Sequence, residues 1–142
     1  MPNSLKQLKV GDQLDPRKMS VVQDGINAFH HTFGGSNPLH TDPDLAQKSG
    51  FGAPLQHGVR TLYPVFTAVF SRFPQRAAGA SRFSAKFIAP VEPGDELTAY
   101  CRVARHEEAG GRRTVAFESW VENQKSTKVL VGEVTLSEPL QR

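Results

Sequence analysis

Cys101 is the only cysteine in this chain. That excludes an internal disulfide and points to a reducing compartment. Long apolar runs are missing too: none approaches the roughly 18 residues a membrane-spanning helix needs. The opening Met-Pro-Asn-Ser-Leu-Lys lacks the apolar stretch of a signal peptide, so a cytoplasmic location is expected. Neither sign of charge dominates, with 17 Lys and Arg against 14 Asp and Glu and a net charge of +3. The basic residues are scattered, with no aromatic-rich basic stripe, which argues against a nucleic-acid partner. What remains is a solvated surface or an anionic small ligand. Metal-ligand spacings are absent as well. The five histidines include no pair such as His-Glu-x-x-His, so no metal is expected. Repeats, low-complexity runs and linkers are lacking, and residues 1–142 read as one domain.

What is present is a globular composition, 38% hydrophobic and 22% charged, enough for a core. Turn signals at Val10-Gly11-Asp12 and Asp15-Pro16 break the first segment, and Met19 to Val22 suits a short strand. Asp24 offers an N-cap for a helix with Ile26, Ala28 and Phe29 on one face, stopping at Phe33-Gly34-Gly35. Asp42-Pro43 restarts a helix in the favoured order, cap then proline, with Leu45 and Ala46 inward, ending near Ser49-Gly50. From His57-Gly58 to Phe73 the chain is apolar on more than one face, the mark of a buried helix. Pro64 predicts a kink, or a regular start near Thr61, and Pro74 ends the segment. The last third reads as strands: Ser81 to Ala89, then Leu97, Ala99, Cys101 and Val103 in alternation, Thr114 to Glu122, and Val129 to Leu136. Helices first and an antiparallel meander afterwards give an α+β class, with a sheet wrapped around one long helix.

The stretch Phe33 to Pro43 (Phe-Gly-Gly-Ser-Asn-Pro-Leu-His-Thr-Asp-Pro) holds little regular structure, because glycine frees the backbone and proline fixes it. A loop so constrained around one imidazole places a polar group, and His40 is that group.

At these residues the chain resembles the MaoC-like dehydratases of the hotdog superfamily, which include the (R)-specific enoyl-CoA hydratases. Four blocks carry the resemblance in order: Leu8 to Asp12 with the helix from Val22 to Phe29; Asn37 to Pro43 followed by Ala46; Phe51 to Val59; and Lys86 to Asp95. The resemblance implies a hotdog fold, in which a curved antiparallel sheet wraps a long central helix. It implies a homodimer and a substrate carried as a thioester of coenzyme A or acyl carrier protein, with no cofactor of its own. The reaction implied is reversible hydration of a trans-2-enoyl thioester in fatty acid metabolism. His40 falls at the family's catalytic histidine. Gly58 falls at the glycine whose backbone N–H polarises the thioester carbonyl, as a helix start allows. Asn37 and Asp42 match positions that support the loop and cap the next helix.

One position departs. The family motif reads Gly-Asp-x-Asn-Pro-x-His, and the place of its catalytic Asp is taken by Gly35. Losing one acid–base group typically costs about 10²–10⁴-fold in rate. Three functions stay open: a hydratase or dehydratase built on His40 and Gly58; a non-catalytic acyl-thioester-binding subunit partnering a complete hotdog chain; and a hotdog thioesterase, the least favoured, since residues 57–73 contain no carboxylate. His57 is expected to be a loop residue holding the helix start, and His30 and His31 surface residues that diverge from each other. Ser36 lacks a nucleophile elbow. Arg60 stands where relatives carry an apolar residue and suits a ligand carboxylate or phosphate. Arg82, Lys86, Arg112 and Arg113 are coenzyme-phosphate candidates by charge alone.

Overall fold

The alternation in the last third decides the architecture. In a strand, successive side chains face opposite sides, so Leu97, Ala99, Cys101 and Val103 of β3 (Glu96–Ala109) all point inward and are buried. Val115, Phe117, Ser119 and Val121 do the same in β4 (Arg112–Glu122), as do Val134 and Leu136 in β5 (Lys128–Pro139). The computed structural model describes residues 4–33, 35–76 and 81–140. It adds two short strands, β1 (Arg17–Ser20) and β2 (Ser81–Phe87), to the edges of this meander. The sheet is antiparallel throughout, in the order β1-β3-β4-β5-β2. Met19 pairs with Leu97 at one edge and Phe83 with Val134 at the other. Gly132 is needed where β5 meets β2, since a Cβ there would overlap the Ser84 carbonyl.

The apolar segment after His57 packs on the inner face of the sheet, as expected of an α+β hotdog arrangement, but not as one long helix. It forms α3 (Gly58–Thr61) and α4 (Tyr63–Phe70), separated at Leu62. Proline in a helix lacks an N–H and crowds the carbonyl four residues back, and Pro64 sits in the first turn of α4, where that is tolerated. Val65, Ala68 and Val69, with Phe73 beyond the helix end, fill the space against Leu97, Phe117 and Leu136. Burial is one-sided: Val59 and Tyr63, expected inside, are 64% and 65% exposed.

Helix α1 (Gln23–Phe33) buries Ile26 and leaves Ala28 open, and α2 (Pro43–Lys48) buries Ala46. The first block, Leu8 to Asp12, forms a turn at Val10-Gly11 and no strand. Leu5–Gln7 is a 3₁₀ turn with Leu5 and Leu8 buried, and the turn at Gly11 sits beside β3, where Gly11 and Leu14 donate to the Val103 and Cys101 carbonyls. Among the described residues no helix is long and apolar enough to cross a membrane.

Candidate active site

Three loops converge at the start of α3. The end of α1 folds back on itself, with Gly35 N–H donating to the His30 carbonyl, a closure of the kind glycine permits after a helix. The next segment is braced locally. Asn37 Oδ1 accepts from Leu39 N–H at 3.0 Å, Pro38–His40 makes a 3₁₀ turn, and Asp42 Oδ1 accepts from Asp44 and Leu45 N–H at the head of α2. This segment is pinned to the loop before α3 twice. Leu55 N–H donates to the Leu39 carbonyl, and His40 Nδ1 lies 2.9 Å from the Leu55 carbonyl. A carbonyl only accepts, so Nδ1 carries a proton, and in the neutral ring Nε2 keeps its lone pair. Gln23 Nε2 holds the His40 carbonyl from α1.

The His40 ring stacks on His57, centroids 3.7 Å apart and planes 21° from parallel. His57 Nε2 is 3.2 Å from His30 Nδ1, and the His30 and His40 rings are 6.0 Å apart. Two expectations fail here. His57 makes no side-chain hydrogen bond to the helix start, because its ring is held between His40, His30 and Phe29. His30 is half-buried in this cluster rather than on the surface, while its neighbour His31 is exposed. The sequence signal that would have found His30 is its spacing to Gly35: a glycine just past a helix end turns the chain back over the last turn.

Burial, then the positive potential of His40, His30 and Arg60, pulls the His57 pKa down to about 4. Its Nδ1 is buried without a partner. His57 is therefore neutral at physiological pH. A group with a folded pKa near 4 and an ordinary value of 6.5 favours the unfolded chain as it protonates. The associated stability is complete above pH 6.5 and is lost as the pH falls toward 4. Thermal melts across that window are expected to show a falling melting temperature, with a shallower slope in His57→Gln, which keeps an amide toward His30 and cannot ionise. Equal slopes would remove His57 as the cause.

Gly58 is the first residue of α3, and among the described residues its N–H meets no acceptor. It lines a mostly apolar cavity of about 410 Å³ with Phe51, Leu55, Thr61, Phe87 and Val91. The Phe87 ring lies directly against it. On the other side of α3 a second apolar cavity, about 570 Å³, runs between Met19, Phe29, Phe33, Val59, Tyr63 and Phe66 and contains Arg60. Arg60 Nη1 donates to Gln56 Oε1, and Gln56 Nε2 donates to Thr61 Oγ1. The guanidinium packs directly over Gly25, and burial lowers its pKa. Among the described residues it has no carboxylate partner.

The phosphate candidates separate. Arg113 is buried between Glu108 and Glu138, at 2.8 Å from each, and is no longer a candidate. Arg112 donates to Ser137, and Arg82 and Lys86 are exposed on β2. Ser36 is exposed. Among the described residues no three His, Cys, Asp or Glu side chains are arranged to hold a metal ion.

Residues 6–125 match the family profile described as MaoC like domain. The chain is 33% identical over 131 residues to the mitochondrial 3-hydroxyacyl-[acyl-carrier-protein] dehydratase of Arabidopsis thaliana, covering 90% of this chain and 76% of that one. Two longer relatives are matched over only 22% and 12% of their length. Among solved structures, the MaoC-like dehydratase from Rhodospirillum rubrum superposes with a TM-score of 0.78 at 25% identity, covering 97% of each chain. The (R)-hydratase from A. caviae involved in PHA biosynthesis gives 0.75 at 25%, covering 95% of this chain and 99% of that one. The five-stranded antiparallel sheet with its packed helix is the hotdog fold of these neighbours.

Proposed function

Because this chain belongs to the MaoC-like domain family, whose members include proteins named hydratases and dehydratases, we propose that it adds water reversibly to trans-2-enoyl thioesters to give 3-hydroxyacyl thioesters. One observation carries the reading: an imidazole whose tautomer is fixed with Nε2 bare stands one ring away from an unpaired N–H at Gly58. In hydration the water oxygen bonds to C3 as its proton moves to His40 Nε2. The electron pair of the C2=C3 bond shifts onto the thioester oxygen, where the Gly58 N–H receives it. The proton then passes to C2. One water is added, nothing is oxidised or reduced, and the reverse is dehydration. Oriented N–H groups at developing negative charge supply much of the rate enhancement in such reactions.

The apolar cavities on either side of α3 suit an acyl chain. The carrier is coenzyme A or acyl carrier protein, with no cofactor or metal of the enzyme's own. A homodimer is the assembly proposed, a second copy covering Phe83, Phe87 and Ile88, which are 55%, 52% and 52% exposed. Arg60 is proposed to meet a polar or anionic group of the substrate. Gly35 favours a second reading, a subunit that binds the thioester beside a complete hotdog chain and does no chemistry.

The test is purified protein mixed with crotonyl-CoA, longer enoyl-CoAs and an enoyl-acyl carrier protein, followed by conjugated-thioester absorbance and free thiol. Loss of absorbance without thiol is the expected result. Thiol release would mean hydrolysis, and binding without either would mean the non-catalytic subunit.

A further inference from the structure

We propose that His30 is the second group that binds the reacting water at this site, beside His40 and in the place that Gly35 leaves empty. The inference rests on the hydration reading above. A Cβ built on Gly35 would fall on His30 Nδ1 and within 2.5 Å of its Cε1. The His30 imidazole and any side chain at position 35 therefore compete for one volume. Glycine at 35 lets the ring in, and the turn that closes α1, Gly35 N–H to the His30 carbonyl, holds the two together.

The ring is also held in orientation. Its Nδ1 and His57 Nε2, 3.2 Å apart, need one proton between them. With that proton on His30 Nδ1, His30 Nε2 is a bare lone pair, the same state in which Leu55 holds His40. His57 then connects the two working rings, stacked on one and hydrogen-bonded to the other. The ionisable groups around His30 are His31, His40 and His57, with Arg60 acting on His57. No carboxylate pairs with any of these groups among the described residues.

The spacing suits a shared water. Ring centroids 6.0 Å apart lie within the reach of one oxygen placed about 2.9 Å from a nitrogen of each ring. The water gives one O–H to each imidazole. The His40 imidazole takes its proton as the oxygen bonds to C3 and returns that proton to C2. The other keeps its hydrogen bond and holds the oxygen in line. The cluster ends each turnover with the charge it began with.

The test is a set of variants assayed on crotonyl-CoA with pH profiles. His30→Asn keeps an amide where Nδ1 meets His57 but has nothing at Nε2; kcat is expected to fall about 10²-fold with KM within about threefold. His30→Ala with Gly35→Asp puts a carboxylate into the freed volume, and is expected to regain most of the loss. The acid limb of its pH profile should move down, because carboxyl groups ordinarily titrate about 2.5 units below imidazole. Gly35→Asp alone is expected to lower activity, since its Cβ strikes the His30 ring. Wild-type activity retained in His30→Asn, or no recovery by the carboxylate over His30→Ala, overturns the role of His30 and leaves the hydration reading standing. A wild-type protein that hydrates no thioester overturns both.

Discussion

His40→Asn is expected to cut kcat by about 10³–10⁴-fold, the upper part of the range for a lost acid–base group, while the melting temperature stays near wild type. The two properties separate because the two nitrogens of His40 have separate duties. Nδ1 holds the Leu55 carbonyl and so ties the loop to the segment before α3. An asparagine amide donates from nearly the same place. Nε2 is the atom with nothing else to do, and asparagine has no counterpart. His40→Ala serves as the comparison. It removes both duties and leaves the Leu55 carbonyl without its partner, at a cost of about 1–3 kcal/mol, so it should lose stability as well as activity. Steady-state kinetics beside thermal melts make the distinction. An asparagine variant with near-wild-type kcat would exclude His40 from the chemistry.

Gly58→Pro is expected to lower kcat by about 10²–10³-fold, the loss typical of one oxyanion donor. Proline is normally a poor probe of a helix, but it is favoured at the first helical position, which Gly58 occupies. The preceding residue must be extended when proline follows, and His57 already is, at φ −59° and ψ 133°. The substitution therefore removes the N–H with little demand on the backbone. It does add atoms beside Phe87, whose ring would be 3.0 Å from the new Cβ. Gly58→Ala adds the same Cβ and keeps the N–H. The contact with Phe87 is common to both variants, so it cancels when they are compared. The ratio of the two variants measures the N–H. Equal kcat values for alanine and proline would assign the oxyanion to another donor.

The same cluster shows which parts of the site local sequence encodes. Asp42 before Pro43 is a cap signal whatever surrounds it, and its carboxylate meets the first N–H groups of α2. Asn37 closes a turn two residues ahead of itself. These interactions span two or three residues, so the chain states them directly. His30 and His57 are 27 residues apart, on a helix and a loop that meet only after the sheet has placed both. Periodicity along α1 separates His30 from His31 but does not say which of them faces His57. The broken central helix has a comparable explanation. Pro64 marks the interruption, but the exposure of Val59 and Tyr63 depends on which side of α3 and α4 the sheet covers.

By itself the sequence determined the elements and the chemistry at single positions. Alternation made β3, β4 and β5; caps and prolines made the helix ends; the motif from Asn37 to Pro43 singled out His40 as the candidate group, and Gly35 just before it carries no carboxylate. Those properties depend on residues close together in the chain. The strand order that sends β2 to the far edge beside β5 was decided only in three dimensions, as was the gathering of His30, His40 and His57 around the start of α3. There the vacant side-chain position at Gly35 meets the His30 imidazole of the preceding helix, because close packing lets a ring occupy the volume that glycine does not fill.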